Sequence, residues 1–488
     1  MTSSPAAGRS PAVTAVVLNY VDGMAMLLPC LRHLLRQRDL PPGGMDVLVV
    51  HNPPDQVDRD RDDWATVRAE LAREEFHQVR VIENEANEGF AGGHNVAFRE
   101  VRTEFVAITN SDARPEPTWL SELLKAFDGE TGRRVGAAAS KLVFLSRYLP
   151  VTLSTACYVP AKLDPAAKDT RELGVRVHEV RVNGHDVTDA VIWGRLGYDR
   201  EQAGRERFRW TRPRGTMLVP VDPGEPLPGP PGPLRLALRL GAEAIKPVEL
   251  SWPGGAGSVK SDADSANVQP AEDAVEVPAG AELVDVVNNA GSMVDTHGRG
   301  TDLGFRNVDR DEYDRPADVF SFCGAAVCFR TSALREAGLF DDDFFMYYED
   351  TDLAWRLWRL GWRVRYVPAS VVRHKHSNTL GEDSERRRFY VERNRLLTAT
   401  KNARAGLALR VVLGFLLGTG RDRLAEVLGV SPRRRPGDPP PLRLRVARSY
   451  LGLLPSMLRR RRELARRAVV PRRNLRHWEV PWPGPRGR

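Results

Sequence analysis

The first 127 residues alternate between two hydrophobic patterns, and this alternation restricts the fold more than any other feature. Short apolar runs rich in β-branched residues are typical of buried strands, and apolar residues spaced by three or four are typical of amphipathic helices. Strands that alternate with helices through short loops predict an α/β fold, with a mostly parallel sheet covered on both faces. The predicted strands are 13–18, 46–50, 79–83 and 104–110, and the predicted helices are 24–35, 64–75, 96–101 and 117–127.

Beyond residue 140 the sequence changes character, which indicates further structural units. Between residues 141 and 285 the helical spacing disappears, and short alternating runs are separated by Pro, Gly and Asp. This pattern predicts a β-rich insertion. The α/β pattern returns over 286–402, and residues 403–488 are Arg-rich with helical spacing. We therefore expect an α/β domain over 13–140 and 286–402, followed by a basic helical C-terminal tail.

The positive charge of the chain is concentrated near its end. Residues 401–488 hold 22 Lys and Arg against 5 Asp and Glu, a net charge of +17, so residues 1–400 carry −9. This basic segment lacks interleaved aromatic residues and any nucleic-acid-binding motif, so we expect no nucleic-acid partner. It is more typical of proteins that contact anionic lipid headgroups.

Other features indicate a cytoplasmic protein. The four cysteines are few and scattered, which suits a reducing compartment. The first twenty residues lack the apolar core of a signal peptide. The best membrane candidate, 407–418, is too short to span a bilayer and contains Arg410.

Two loops at predicted strand ends are candidate ligand sites, because α/β sheets bind ligands there. The loop TNSDARPEPTWL places Asp112 directly after the fourth strand, where it either points into the ligand crevice or caps the next helix. The loop NEGFAGGHN, residues 87–95, is expected to offer free backbone N–H groups to a diphosphate. It does not match G-x-G-x-x-G, which argues against a dinucleotide-binding domain.

The segment FDDDFFMYYEDTDLAWRLWRLGW, residues 340–362, mixes six carboxylates with large apolar side chains. In a helix from Glu349, Asp350 lies on the apolar face, whereas Asp352 lies on another face and can pair with Arg356. This spacing favours a chemical role for Asp350 and a structural role for Asp352. The alternative for all these acids is that they complement the helix dipole. The acids at 341–343 are expected in a solvated turn or helix cap.

Two histidines, His374 and His376, follow the last predicted strand and lie on one face of it. Such histidines are more often surface or hydrogen-bonded core residues than metal ligands. The spacing alone leaves both roles open.

Seven motifs resemble those of glycosyltransferase family 2, in the inverting GT-A branch of bacterial rhamnosyltransferases and galactofuranosyltransferases. They cover about 13–140 and 288–402, in the order and spacing of the family, but not the insertion or most of the tail. The resemblance implies a GT-A fold, with nucleotide-sugar binding by 13–140 and acceptor binding and catalysis by 286–402. The motifs are VVLNYVDG, DVLVVHN, NEGFAGGHNVAF, ITNSDARPEPTWL, FCGAAVCFRTSALREAGLFDDDFFMYYEDTDLAWRLWRLGW, VPASVVRHKHSNT and VERNRLLTATKN.

The resemblance also implies roles for individual residues. Asp112 matches the acid that holds a divalent metal, Mg²⁺ or Mn²⁺, on the donor diphosphate, and His374 matches the histidine that can complete this metal site. Asp350 matches the general base. The other residues implied on the donor side are Asn19, His51, Asn87, Gly89, Gly92, Gly93 and Asn110, and those implied on the acceptor side or behind it are Glu349, Gly324, Asp352, Arg356, His376, Arg393 and Asn394.

Two positions depart from the family pattern. His51 stands where the family has an acid that contacts the nucleotide base, so the donor nucleotide is not predicted. Asn110 stands at the first acid of the metal-binding motif, so few protein ligands remain for the metal. Mg²⁺ tolerates this, because it keeps waters and takes phosphate oxygens.

The implied function is inverting transfer of a sugar from a nucleoside-diphosphate-sugar to a hydroxyl of a lipid-linked cell-envelope glycan. The alternative is a non-catalytic carbohydrate-binding protein on the same scaffold. Because the tail is basic, we also expect contact with an anionic membrane, which would make the protein peripheral on the cytoplasmic face of the plasma membrane.

Overall fold

The protein divides into two compact units in a computed structural model. The first unit comprises Met1–Val143, Val287–Phe305 and Arg310–Arg488, and the second comprises Phe144–Val286 and Arg306–Asp309. The structure describes residues 11–203, 206–221, 232–242, 245–263, 272–375, 384–428 and 440–481.

The first unit begins with alternating strands and helices, as the hydrophobic pattern predicts. Two predicted helices were wrong at one end: helix 24–35 begins only at residue 27, and helix 64–75 ends at residue 71, before a short 3-10 turn over Glu74–Phe76. The strands are β1 (Val13–Asn19), β2 (Met45–His51), β3 (Val79–Glu83), β4 (Phe105–Asn110), β5 (Ala113–Pro115) and β6 (Val135–Phe144), and the helices are α1 (Leu27–Leu35), α2 (Trp64–Leu71), α3 (Gly89–Glu100), α4 (Trp119–Lys125) and α5 (Gly129–Gly132).

The second unit consists almost entirely of strands. Eight of them follow the order β10-β11-β8-β13-β15-β14-β7-β12 in one sheet, with β16 beside β13 and β9 beside β8. Alternate residues of these strands pack into a core of its own, which includes Val151, Leu236 and Val248. The elements are β7 (Tyr148–Thr155), α6 (Pro160–Leu163), β8 (Arg176–Val182), β9 (His185–Asp186), β10 (Gly197–Ala203), β11 (Glu206–Thr211), β12 (Arg214–Pro220), β13 (Leu234–Ala242), β14 (Lys246–Trp252), β15 (Gly255–Ala263) and β16 (Glu272–Val277).

The chain then completes the first unit with short strands, one long strand and a series of helices. The strands are β17 (Val287–Asn289), β18 (Ser292–Asp295), β19 (Gly300–Asp302), β20 (Ala317–Asp318), β21 (Ala326–Arg330), β22 (Arg363–His374) and β23 (Glu479–Val480), and the helices are α7 (Thr331–Ala337), α8 (Glu349–Arg359), α9 (Glu385–Asn402), α10 (Ala405–Val427) and α11 (Pro440–Arg467).

The main sheet of the first unit has the strand order β20-β22-β6-β21-β4-β1-β2-β3. Strands β1 to β4 pair in parallel, and β21 runs antiparallel between β4 and β6. Alternate residues face opposite sides: Val16 and Leu48 enter the core under α3, α7 and α8, whereas Val17 and Val49 enter the core under α1 and α4. The predicted α/β fold, with a sheet covered on both faces, is confirmed.

The basic tail is helical, as predicted, and it packs into the first unit. Leu397 of α9, Leu407 and Phe415 of α10, and Tyr450 of α11 are buried in one shared core. The last described strand, β23, pairs in parallel with β18. Among the described residues, no helix has both the length and the apolar character that crossing a bilayer requires.

Candidate active site

A cavity of about 100 Å³ lies beside the carboxyl ends of β1, β2 and β4. This is the position at which α/β sheets bind ligands. Four residues predicted for the donor side line the cavity, namely Asn87, Gly89, Asn110 and Asp112. The sequence-based prediction of this edge as a ligand site therefore agrees with the shape of the molecule.

Asp112 and His374 are brought together by strand pairing, because His374 of β22 lies opposite Ala113 of β5. The His374 Nε2 is 3.3 Å from the Asp112 Oδ1, and its Nδ1 is 3.1 Å from the Asn288 Oδ1. Burial raises the pKa of the Asp112 carboxyl, but His374 outweighs this effect and holds the pKa below its usual value. The pair thus presents an ionised carboxylate beside an oriented imidazole.

These two side chains fit a metal that takes few protein ligands. Two neighbouring ligands of an octahedral Mg²⁺ lie about 3 Å apart, close to the observed 3.3 Å between Asp112 and His374. Within the described residues, no cluster of three or more His, Cys, Asp and Glu side chains could hold a metal.

Asp350 lies in the first turn of α8 and is half-buried. Its Oδ1 accepts hydrogen bonds from the Thr351 backbone N–H at 2.5 Å and the Thr351 hydroxyl at 3.1 Å, and Gly324 adds a backbone donor. Burial is the largest cause that raises the pKa of Asp350 to about 6, and the charge of Asp302 adds to it. This carboxyl can therefore take up a proton near neutral pH.

Glu349 is buried beside Asp350, and within the described part of the chain its Oε2 has no hydrogen-bond partner. Burial, followed by the charge of Asp350, raises the pKa of Glu349 well above its usual value. Two acids thus share one buried position at the start of α8, and each makes ionisation of the other less favourable.

Asp352 is fully buried and has a structural role, as the helical spacing predicts. Its Oδ2 accepts from the Arg356 Nε at 2.8 Å and the Lys401 Nζ at 2.9 Å, and its Oδ1 accepts from the Asn402 Nδ2 at 2.7 Å. Burial alone would raise the pKa of Asp352, but Arg356 and Lys401 lower it to about 2. Asp352 therefore remains ionised and anchors α8 to α9.

Of the two predictions for 341–343, a solvated turn or a helix cap, the cap is confirmed for Asp341: its side chain accepts from the Asp343 N–H at 3.2 Å, at the start of a 3-10 turn over Asp342–Phe344. Asp341 is buried, and it accepts from the Lys401 Nζ at 2.5 Å and from Arg460 of α11. Asp343 also accepts from Arg460, at 2.6 Å. Only Asp342 is exposed, so basic groups from α9 and α11 stabilise this acidic turn.

Arg393 and Asn394 hold the backbone that leads into α8. The Asn394 Nδ2 lies 2.7–2.9 Å from the carbonyl oxygens of Phe344, Met346 and Tyr347. The Arg393 Nη2 donates to the carbonyl of Phe344 at 2.9 Å. Positive φ angles occur here at non-glycine residues, including 66° at Tyr347, and such backbone persists only when its surroundings fix it. These two residues therefore position the acidic pair.

The predicted glycine-rich loop was wrong, because residues 89–95 form the first turns of α3. The Gly89 N–H donates to the Asn87 Oδ1 at 2.9 Å, and the Ala91 N–H donates to the Phe345 carbonyl at 3.1 Å. A Cβ on Gly93 would lie 2.6 Å from the Leu18 Cδ1. The glycines thus allow α3 to approach β1 and the turn before α8, and these N–H groups are not free for a diphosphate.

We expect Gly89→Ala to lower the free energy of unfolding by about 1–3 kcal/mol more than Gly129→Ala. Both glycines have a φ of +66°, but a Cβ at residue 89 would lie 2.5 Å from the Phe345 carbonyl oxygen, whereas one at residue 129 would meet nothing within 4 Å. Denaturant titrations of the two variants measure this difference. Equal losses would contradict the close approach of α3 to the turn.

His51 does not line the cavity, in contrast to its predicted place on the donor side. It is buried, stacks on Trp64 with ring centroids 3.9 Å apart, and lies 3.1 Å from the Asn19 Nδ2. Burial lowers the pKa of His51, so its ring is neutral at physiological pH. Asn19 is buried with it, and its Oδ1 has no partner among the residues that the structure describes. Both residues support the end of the sheet.

Three cavity residues, Tyr20, Asn52 and Arg386, were not predicted from the sequence. Arg386 at the start of α9 donates to Asp55 at 2.5 Å, and Asn87 donates to the other Asp55 oxygen at 3.2 Å. Tyr20 and Asn52 lie inside motifs that were recognised, so their proximity to strand ends was an available signal. Arg386 follows 376–383 in sequence, and no local pattern connects it to the cavity.

The remaining predicted residues have separate positions. Gly324 lies against Phe90 of the cavity wall, where an added Cβ would be 3.0 Å from the Phe90 Cζ. The backbone N–H of Gly324 also bonds Asp350, which links the acidic pair to the cavity. His376 lies outside the described residues.

Two family descriptions match the segments that build this site. "Glycosyl transferase family 2" matches residues 14–138, and "Glycosyl transferase family group 2" matches residues 280–420. Together they cover more than half of the chain. The chain belongs to glycosyltransferase family 2. The first segment of this family 2 chain contains Asp112, and the second contains Asp350 and His374.

Two curated relatives come from Mycobacterium tuberculosis. One is "N-acetylglucosaminyl-diphospho-decaprenol L-rhamnosyltransferase", 37% identical over 79 residues, which are 16% of this chain and 25% of the relative. The other is "Pre-mycofactocin glycosyltransferase", 36% identical over 119 residues, which are 23% of this chain and 25% of the relative. This chain thus spans about a quarter of the length of each of these two relatives.

Solved structures give weaker similarities. GalNAc-T7 with UDP, GalNAc and Mn²⁺ has a TM-score of 0.44 at 9% identity, covering 87% of this chain and 55% of that chain. The mannosyltransferase PcManGT from Pyrobaculum calidifontis, in complex with GDP-Man and Mn²⁺, has a TM-score of 0.36 at 13% identity, covering 95% and 87%. Because both scores are low, neither protein bears on the fold or function of this family 2 chain.

Proposed function

We propose that this chain is an inverting glycosyltransferase that moves a sugar from a nucleoside-diphosphate-sugar to a hydroxyl group of a glycan acceptor. The observation that carries this proposal is the arrangement of two kinds of carboxylate. Asp112 lines the cavity at the strand ends beside His374. Asp350 is connected to this cavity by Gly324, whose N–H bonds it and whose Cα side lies against Phe90 of the cavity wall. A donor diphosphate and an acceptor hydroxyl need these two different groups.

In this mechanism Asp350 acts as the general base. Its carboxylate takes the proton of the acceptor hydroxyl while that oxygen forms a bond to the anomeric carbon of the donor sugar. The bond from that carbon to the diphosphate oxygen breaks on the opposite face, so the anomeric configuration inverts. In its ionised form Asp350 carries the negative charge of the base. The hydrogen bonds from Thr351 and Gly324 hold that charge in place.

Asp112 and His374 are the residues that would hold a divalent cation, Mg²⁺ or Mn²⁺. Such a cation would neutralise charge on the leaving diphosphate. Asn288 keeps the His374 ring oriented through its Nδ1, so that the other ring nitrogen faces Asp112. Asn110, 3.4 Å from the His374 Nε2, lies close enough to contact a diphosphate bound at this pair.

We expect Asp112→Ala and His374→Ala each to weaken Mn²⁺ binding by at least about tenfold. A metal held by few protein side chains loses a large share of its affinity when one of them is removed. Binding of Mn²⁺ by the full chain in the presence of a nucleoside diphosphate is measured by electron paramagnetic resonance. Asp342→Ala is the matched control, since Asp342 is an exposed acid. Unchanged Mn²⁺ binding in both test variants, or full transfer activity in EDTA, would contradict this site.

We expect transfer activity to fall as the pH drops through about 6. Burial raises the pKa of Asp350 to about 6, and a general base works only in its ionised form. Below that pH the active fraction decreases about tenfold per pH unit. The pH dependence of kcat, with circular dichroism to confirm folding, measures this. A kcat that stays flat from about pH 7 to 5 would exclude a base with this pKa.

We also propose that the acceptor is lipid-linked and that the protein is peripheral on the cytoplasmic face of the plasma membrane. The name of one relative includes a sugar diphosphate on decaprenol and a rhamnosyltransferase activity, and the net charge of +17 over 401–488 suits an anionic membrane. The alternative of a non-catalytic carbohydrate-binding protein gains no specific support, because Asp112, Asp350 and His374 are all retained.

A further inference from the structure

Helix α10 presents a row of leucines to solvent. Leu409, Leu413, Leu417 and Leu424, here named the leucine stripe, are 59%, 44%, 71% and 60% exposed. At about 100° per residue these positions fall within an arc of about 80°, so they form one continuous surface along the helix. Single exposed leucines are ordinary on protein surfaces, but a contiguous apolar patch marks an interaction site.

The opposite face of α10 is already occupied. Leu407, Val411 and Phe415 are buried in the core that α10 shares with α9 and α11. The leucine stripe is therefore not the face that attaches α10 to the rest of the first unit. Its burial requires a partner outside this packing.

Basic residues flank the leucine stripe. By helical position, Arg410 and Arg421 lie about 20–40° beyond one edge of it, and Arg423 lies about 40° beyond the other. All three are exposed, and α10 contains no acidic residue before position 422. Leucines between arginines complement a surface that is apolar within and anionic at its boundary, as an anionic bilayer is.

Helix α11 carries a related pattern. Leu444, Leu451 and Leu458 are exposed and recur every seven residues, so they lie on one side of the helix. Arg448 and Arg462 are exposed along the same side. The helix holds nine arginines and one glutamate, which adds positive charge next to apolar side chains.

We propose that the leucine stripe of α10 inserts into the interfacial region of an anionic bilayer, with the flanking arginines at the lipid headgroups. This deepens the proposed membrane association, because it names the contacting surface. The inner face of α10 stays packed on the first unit, so the helix lies parallel to the membrane and enters it by only about 5–10 Å. Residues 401–488 then contact the membrane through this face of α10. Some of their positive charge pairs within the protein instead, as that of Arg460 does with Asp341.

The test compares two variants of the full chain in a flotation assay with vesicles of phosphatidylglycerol and phosphatidylcholine. Leu413→Gln/Leu417→Gln should lower the ratio of bound to free protein by at least about tenfold, since two leucines no longer enter the apolar region. Leu163→Gln is the control, because Leu163 is 70% exposed in the second unit, and it should float like the native chain. Arg410→Gln/Arg421→Gln should weaken binding to anionic vesicles only.

Two results would overturn the proposal. One is flotation that the paired leucine substitutions leave unchanged. The other is a native chain that ignores vesicles but forms an oligomer in light scattering that the same substitutions disrupt, since the stripe would then bind a second copy. Release of nucleoside diphosphate is measured separately, without lipid. If no release occurs but flotation is normal, the proposed function is refuted and the proposed membrane contact of the leucine stripe still holds.

Discussion

Asp350→Asn should lower turnover by about 10²–10⁴-fold, the usual contribution of a general base. The amide has nearly the shape of the carboxylate, and its one oxygen can still accept the hydrogen bonds from the Thr351 N–H and hydroxyl. It cannot accept a proton from the acceptor hydroxyl. We therefore expect an unchanged dissociation constant for the nucleoside diphosphate and a loss confined to kcat, both measured on the purified full chain.

Asp342→Asn is the control for this substitution, because Asp342 is a nearby acid whose side chain is 61% exposed. It should leave kcat within about twofold of the native value, as expected for an exposed acid outside the site. A native-like kcat for Asp350→Asn would remove Asp350 from the mechanism. A comparable loss in Asp342→Asn would indicate that the whole acidic segment, and not one base, is required.

Lys401→Met should lower the free energy of unfolding by about 3–5 kcal/mol, because it removes a buried cation that bonds two buried carboxylates and leaves each of them with an arginine alone. Lys401 bonds both Asp341, at 2.5 Å, and Asp352, at 2.9 Å, and all three side chains are almost completely buried. Methionine fills similar space but carries no charge. A denaturant titration of the full chain measures the loss.

Two further variants make this prediction specific. Lys125→Met removes an exposed ion pair with Glu122, and it should cost less than about 1 kcal/mol. Asp352→Asn added to Lys401→Met should restore part of the stability, since it removes one of the two buried carboxylates that have lost Lys401. Equal losses for Lys401→Met and Lys125→Met would contradict the buried network between α8, α9 and the acidic turn.

Local spacing was sufficient for the first four strands and for the pairing of Asp352 with Arg356. Both depend on residues that are close in sequence, through a period of two in strands and four residues in a helix. Asp112 and His374 are 262 positions apart, and their contact depends on the pairing of β22 with β5. Their meeting was therefore implied by the family resemblance and not by spacing.

The glycine-rich segment shows where propensity misleads. Gly disfavours helices by about 1 kcal/mol per residue relative to Ala, so residues 89–95 resembled a loop. The structure places them in α3. Glycine is needed at position 93 of this helix because a Cβ there would collide with Leu18 of β1. Close packing of a helix on a sheet is a tertiary effect that one-dimensional patterns do not contain.

Counting charges in the tail had a similar limit. The net charge of +17 over 401–488 is correct, but Arg460 neutralises Asp341 and Asp343, and Arg404 pairs with Glu479 at 2.8 Å. These partners are distant in sequence, so counting charges does not show that some arginines of this segment are neutralised inside the protein. The surface that residues 401–488 offer to a binding partner is better described by the exposed face of α10 than by the net charge of the segment.

The anomeric configuration of the product tests the proposed inverting mechanism most directly. The full chain is incubated with Mn²⁺, a simple alcohol or glycan acceptor, and a panel of UDP-, dTDP- and GDP-sugars, and the product is observed by proton NMR. We expect release of the nucleoside diphosphate and a glycoside whose anomeric configuration is opposite to that of the donor. A product with retained configuration, or sugar binding without diphosphate release from any donor, would contradict it.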